Sequence, residues 1–170
     1  RLTEDSTVYD IGSGTGSVSV ECALHCYLGH VFAIEKSQEG YLLTTANKKA
    51  FGADNITVIQ AAAPEGMESL PAPTHAFIGG SSGNMREIIL SLYEKNPKVR
   101  IVINTIAVES LAETVALLKE LKIKDVDITQ INVSKNKRAG RYNLMMAQNP
   151  VCVIAFGGET GETMKEDENE

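Results

Sequence analysis

The sequence predicts an α/β domain with a doubly wound, mostly parallel seven-stranded sheet that ends in an antiparallel strand pair. Three observations predict it. Short apolar runs rich in Val, Ile and Phe alternate with segments of helical period. A glycine-rich turn follows the first of these runs. At 170 residues and 43% hydrophobic composition, the chain is long enough for one core and too short for two.

The first strand is expected near Thr7 to Ile11, and later ones near Val31 to Glu35, Ile56 to Gln60, His75 to Ile78 and Arg100 to Asn104, each followed by a helix candidate. The plainest helix places Met85, Ile88, Ile89, Leu92 and Tyr93 on one stripe, with Arg86, Glu87, Glu94 and Lys95 elsewhere. A further helix carries Val108, Leu111, Val115 and Leu118 at similar spacing. Beyond Lys122 the period changes. Val126, Ile128, Ile131 and Val133 suggest a strand, Lys135 to Arg141 reads as a polar, basic connection, and Asn143 to Phe156 is extended again. One domain is therefore expected over residues 1–156, followed by an acidic, disordered tail over 157–170.

Composition narrows the function. Formal net charge is -6, and the acids from Glu159 to Glu170 against Lys165 leave -5 of it in the tail. A nearly neutral body argues against nucleic acid as a partner. No run approaches the roughly 18 apolar residues of a membrane span, and Arg1 to Asp5 lacks a signal-peptide apolar region, so a cytoplasmic protein without membrane association is expected. The three cysteines form no C-x-x-C pair. Cys22 and Cys26 with His25 and His30 could be imagined as a metal cluster, but packing is the better reading and no metal is expected.

Asp10-Ile11-Gly12-Ser13-Gly14-Thr15-Gly16 closes a strand and opens a helix, which is where parallel sheets bind ligands. A nicotinamide fingerprint runs G-x-G-x-x-G, whereas here the third glycine comes one residue early and Ser17 takes the later place. Asp10 would also repel a pyrophosphate and could pair with the ammonium of an amino-acid cofactor. Both features favour S-adenosylmethionine. Glu35 ends the second strand at the spacing of a ribose-binding acid; its alternative is an exposed acid beside Lys36 and Glu39. After the third strand, Ala61, Ala62 and Ala63 leave room for an adenine. After the fourth, Gly79-Gly80-Ser81-Ser82-Gly83 either borders the sulfonium and the substrate or only caps the Met85 helix.

With these pieces in order, the chain resembles the decarboxylating precorrin or cobalt-precorrin carbon-15 methyltransferases, including the carboxy-terminal half of bifunctional precorrin-6Y methyltransferases. The resemblance covers Asp10 to about Phe156. It is carried by the glycine loop, Ala33-Ile34-Glu35-Lys36, Ala63-Pro64-Glu65, Gly79 to Gly83, Asn104-Thr105 with Glu109-Ser110, and Asn149-Pro150-Val151. It implies the class I methyltransferase fold and S-adenosylmethionine-dependent methyl transfer to a precorrin at carbon 15, with decarboxylation of an acetate, in cobalamin synthesis.

By that resemblance Gly12, Ser13, Gly14, Thr15 and Gly16 hold the methionine part of the cofactor, Glu35 its ribose and Ala63 the adenine; with Asp10, Lys36, Ala62 and Gly79 they are the expected cofactor residues, and Gly80, Ser81, Ser82, Thr105, Arg138, Arg141 and Tyr142 are the expected substrate residues. Where the family reads Gly-Asp-Ala-Pro, Ala62 replaces the acid. The resemblance also implies a covering segment before the first strand, an amino-terminal partner methyltransferase domain and a homotetramer. Lys135, Lys137, Arg138 and Arg141 could hold a polyanionic tetrapyrrole, or be a solvated basic loop. No nucleophile or general-base pair stands out, and His75 reads as core. The rivals are a methyltransferase for another substrate, a nicotinamide oxidoreductase and a noncatalytic cofactor-binding module.

Overall fold

A computed structural model of the chain describes residues 1–158. Strand β1 (Thr7–Ile11) leads through the glycine loop into helix α1 (Ser17–His25), and β2 (His30–Ile34) leads into α2 (Gln38–Ala50). Then come β3 (Ile56–Ile59), β4 (His75–Ile78), α3 (Met85–Lys95), β5 (Arg100–Thr105) and α4 (Val108–Glu120). The chain closes with β6 (Asp127–Ile131), β7 (Ser134–Ala139), β8 (Tyr142–Ala147) and β9 (Val151–Gly157). Glu159 to Glu170, where the sequence places most of the acidic tail, lie outside the described residues.

Seven strands form one sheet in the order β3-β2-β1-β4-β5-β9-β6. β3, β2, β1, β4 and β5 are parallel, whereas β9 runs antiparallel to both β5 and β6. The doubly wound sheet with its antiparallel end is therefore as the sequence predicts. The winding reverses between β1 and β4, which places the switch point of the sheet at their carboxyl ends. β1, central and covered on both faces, buries four of its five residues. One core packs α3 and α4 on the sheet around Ile89, Leu92, Ile101, Ile103 and Phe156. The other lies under α1 and α2, around Val20, Val31 and Ile56.

Several expectations are corrected. No helix follows β3: residues 60–70 are turns, because Pro64, Gly66 and Pro71 interrupt any helical period. The basic stretch is itself a strand, since β7 pairs with β8 as a separate two-stranded sheet turning at Gly140, whose φ is +60°. Pro150, which cannot donate to a ladder, separates β8 from β9. On α4 the buried residues are Thr114, Leu117 and Leu118, while Val108 at the helix start is 75% exposed. The helix is rotated from the predicted stripe because its first turn faces outward at the end of β5.

Leu92 is fully buried and Leu90, on the same helix, is 45% exposed. Leu92→Ala is expected to cost about 2–5 kcal/mol in urea unfolding, and Leu90→Ala less than about 1 kcal/mol.

Candidate functional site

The crevice at the switch point measures about 150 Å³ and is lined by Ile11, Gly12, Ile34, Glu35, Lys36, Ala61, Ala62, Ala63, Gly80, Ser81 and Ser82. Gly12 turns the chain at φ +72°, and a Cβ there would stand 2.7 Å from the backbone nitrogen and oxygen of Gly80. Only glycine allows the loops after β1 and β4 to approach this closely. The loop is anchored to the sheet by the N–H groups of Gly12 and Ser13, which donate to the Ile34 carbonyl at 2.9 and 3.2 Å. Gly79 N–H in turn donates to Ile11 at 2.9 Å.

Glu35 lies one residue past β2, buried at 9% exposure. Its Oε2 accepts from Gly14 N–H at 2.9 Å and its Oε1 from Ser37 N–H at 2.8 Å. Burial by itself raises this carboxyl, but the Ser37 and Gly14 amides, the Ser37 hydroxyl and Lys36 outweigh it and hold it below the ordinary glutamate range. An ionised carboxylate has about four lone-pair sites, more than these neighbours occupy, so it can still accept from a donor inside the crevice.

Asp10 behaves in the opposite way. It is fully buried behind the loop, where Oδ2 accepts from the Ser19 hydroxyl and Oδ1 has no hydrogen-bond partner. Burial pushes it up to about 6 despite the Ser19 hydrogen bonds, and the charge of Glu35 adds to the rise. Asp10 lines no crevice. Its charge reaches a ligand as a field through the loop, and an ammonium near the loop would help hold it ionised.

Of the cofactor residues expected from sequence, Gly12, Glu35, Lys36, Ala62 and Ala63 line the crevice, whereas Asp10, Ser13, Gly14, Thr15 and Gly16 do not line it and belong to the end of β1 and the loop after it, which is tied to Glu35, Thr44 and Asn47. Gly79 belongs instead to a second cleft of about 140 Å³, lined by Ile78, Gly79, Gly80, Ser81, Met85, Asn104, Thr105, Ile106, Ala107 and Ser110. Ser82, expected at the substrate, lies on the first crevice, because its φ of +55° turns the chain back toward Gly12. Gly80 and Ser81 line both, so the two spaces meet there.

None of the ten residues of the second cleft is ionisable. Its polar groups are hydroxyls, backbone and the Asn104 side chain, whose Oδ1 is buried without a partner. Arg138, Arg141 and Tyr142 line neither space; they sit on the exposed β7–β8 hairpin, with Arg141 bonded to the Tyr142 hydroxyl at 2.8 Å and stacked over its ring. The charged hairpin pairs with itself rather than folding back on the sheet.

Sequence reasoning missed Ser19, the unpartnered Oδ1 of Asn104, and Gly40, Thr44 and Asn47 of α2. Thr44 bonds the carbonyl of Gly14, and Asn47 that of Thr15. The signal was polar residues on one helical face. The cysteines are packing residues: Cys26 is buried, burial pushes the Cys22 thiol up to about 12, and among the described residues no group could hold a metal. His75, at the amino end of β4, hydrogen-bonds Thr74 far from both clefts. It borders a larger hollow of about 560 Å³ with Arg1, Asn96 and Arg100, but that hollow lies at the amino ends of the strands, away from where parallel sheets bind ligands. Among the described residues no helix is long and apolar enough to cross a membrane.

Comparison with known proteins agrees with this geometry. The sequence profile of a precorrin methyltransferase domain matches residues 2–156. The chain belongs to that family. A relative from Pyrobaculum calidifontis, named "Probable cobalt-precorrin-6B C(15)-methyltransferase (decarboxylating)", is 39% identical over 91% of this chain and 80% of its own. The crystal structure of precorrin-6y C5,15-methyltransferase from Geobacter metallireducens superposes with a TM-score of 0.84 at 35% identity, covering 92% of this chain and 82% of that one. The precorrin 8w decarboxylase structure from Methanobacterium thermoautotrophicum gives 0.82 at 32% identity, over 91% and 83% of the two chains. A SAM-dependent O-methyltransferase from Thermotoga maritima, 20% identical with a TM-score of 0.74 over 95% of this chain and 63% of its own, shares the fold alone. The methyltransferase domain thus has the class I fold, and its family implies S-adenosylmethionine as the methyl donor.

Asp10 gives this domain a pH signature. The folded carboxyl keeps its proton where the unfolded one, near 3.8, has released it, so stability falls as pH rises from about 4 to about 6 and stays lower above. Asp10→Asn retains an acceptor for Ser19 and removes the titration. Urea unfolding is expected to show the wild type losing about 3 kcal/mol more than Asp10→Asn between pH 4 and pH 7. Equal losses in the two proteins would contradict the assignment.

Proposed function

We propose that this domain transfers the methyl group of S-adenosylmethionine to carbon 15 of a precorrin-type macrocycle, with loss of carbon dioxide from an acetate arm, as a step of cobalamin synthesis. The observation that carries the reading is the meeting of two differently built spaces at Gly80 and Ser81. One has an ionised acid, Glu35, and small alanines suited to a nucleoside; the other is uncharged and suited to an apolar acceptor.

The crevice residues fit the cofactor. Glu35 offers an ionised carboxylate to the ribose hydroxyls, Ala62 and Ala63 leave a flat space for adenine, and the Gly12 cradle would be filled by any Cβ. The unpartnered Oδ1 of Asp10 supplies negative charge behind the loop for the amino-acid ammonium. When bound, the cofactor supplies an electrophilic methyl on a sulfonium. The chain's own part is positional: Gly79 and Gly80 present backbone rather than side chains at the junction, and Asn104 and Thr105 hold the acceptor ring against it. No acid or base of the second cleft is needed, because the ring carbon brings its own electron pair. Ile106 and Val108, 66% and 75% exposed at its rim, offer apolar surface to a macrocycle.

The reading extends to assembly and place: a soluble cytoplasmic homotetramer, supported by the exposed Ile128, Ile131, Val133, Leu144, Met145 and Met146 of β6, β7–β8 and their connection. Arg138 and Arg141 would serve the substrate's carboxylates only within such an assembly, since in one chain they are remote from the clefts.

Mass spectrometry of a precorrin intermediate incubated with protein and S-adenosylmethionine tests the function: the expected product gains one methyl and loses one carbon dioxide. Asn104→Ala is expected to lower kcat/KM about tenfold while leaving S-adenosylhomocysteine affinity within about twofold. Substrate returned unchanged by a preparation that binds S-adenosylhomocysteine would support the noncatalytic module instead.

A further inference from the structure

Helix α2 presents its faces in an unusual way for a helix packed on a sheet. Its buried residues are Gly40 and Thr44, while Leu42 and Leu43 are 55% and 42% exposed. Packing alone would bury the leucines. Gly40, Thr44 and Asn47 stand at i, i+4 and i+7, on one face, and that face meets the cofactor crevice from behind.

Each position touches a different part of the site. A Cβ on Gly40 would lie 2.7 Å from Cγ and 2.9 Å from Cδ of Glu35, so this glycine leaves the space in which the acid is held. The Thr44 hydroxyl donates to the Gly14 carbonyl at 3.1 Å and lies 3.3 Å from the Ser13 hydroxyl. Its methyl is packed where a Cβ on Gly16 would collide at 2.7 Å. Asn47 donates to the Thr15 carbonyl at 2.8 Å. The neighbouring Thr45 instead returns its hydroxyl to Tyr41 within the helix, the usual fate of a helical threonine. Gly14 N–H closes the circuit on Glu35.

We propose that Gly40 and Thr44 are positioning residues for cofactor binding, through which one helix face sets the acid and the glycine loop at a fixed separation. The inference rests on the reading of Glu35 as the ribose acid. Gly40 governs the ribose end of the ligand and Thr44 the amino-acid end. Neither lines the crevice itself. Alanine at Gly40 would ordinarily favour a helix, so a loss of function there reports on what its Cβ would meet, the Glu35 side chain and, at 2.9 Å, the Ser37 hydroxyl beside it.

Calorimetry on the purified chain separates the possibilities. Wild type is expected to bind S-adenosylhomocysteine about tenfold or more tightly than its 2′,3′-dideoxy-ribose analogue, the size of hydrogen bonds to an ionised acid. Gly40→Ala is expected to bring that ratio to within about twofold of one. Thr44→Val is expected to keep the ribose ratio but to reduce the preference for S-adenosylhomocysteine over methylthioadenosine, which lacks the amino-acid part, by about fivefold, with Thr44→Ser restoring it. A merely structural role would weaken all three ligands alike, and that result would overturn the proposal. So would wild-type ratios in Gly40→Ala and Thr44→Val. A wild type that does not distinguish the dideoxy analogue would instead overturn the ribose reading, and the proposal with it. The Thr44 pair keeps the test decisive should Gly40→Ala not fold.

Discussion

The close approach of Gly12 to Gly80 is the constraint on which the site depends. No side chain fits between them: a Cβ on Gly12 would meet Gly80 N and O at 2.7 Å. Because β1 and β4 are neighbours at the point where the sheet reverses its winding, their following loops must either diverge or pack on each other. Here they pack, and two clefts with different linings meet at Gly80 and Ser81 with bare glycine backbone between them. A reaction that needs two molecules aligned, and little else, is served by such a boundary.

Electrostatics are divided in the same way. Glu35 and Asp10 sit on adjacent strand ends, yet the first is held below the ordinary glutamate range by backbone amides and the second is pushed up to about 6 by burial. The difference is hydrogen bonding: Glu35 faces two N–H donors, whereas Asp10 has Ser19 alone for one oxygen and nothing for the other. The acid that meets the crevice is thus a ready acceptor at neutral pH. Charge is absent from the second cleft, which suits an extended ring system better than a small ion.

Much of this was legible in the sequence because it depends on local pattern. The five parallel strands follow from short apolar runs, and the glycine loop from residues that alone tolerate its positive φ values. Glu35 follows from its place at a strand end. Three things were not legible. β7 carries Lys135, Lys137 and Arg138, types depleted in strands, so the hairpin read as a connection. Gly79 and Ser82 fall on different clefts, the one beside Asn104 and Thr105 and the other beside Gly12 and Glu35, because spacing gives order along the chain but not the direction of a left-handed turn. The role of α2 was hidden because amphipathic reasoning follows apolar residues, and the working face of this helix is Gly40, Thr44 and Asn47.

The most direct test of the central claim is a crystal structure of the chain with S-adenosylhomocysteine. The account predicts the adenosine between Glu35 and Ala62-Ala63, both ribose hydroxyls on the Glu35 carboxylate, and the sulfur beside Gly80. A ligand seated elsewhere, or a Glu35 that keeps its contacts to Gly14 and Ser37 while the ribose turns to solvent, would contradict it.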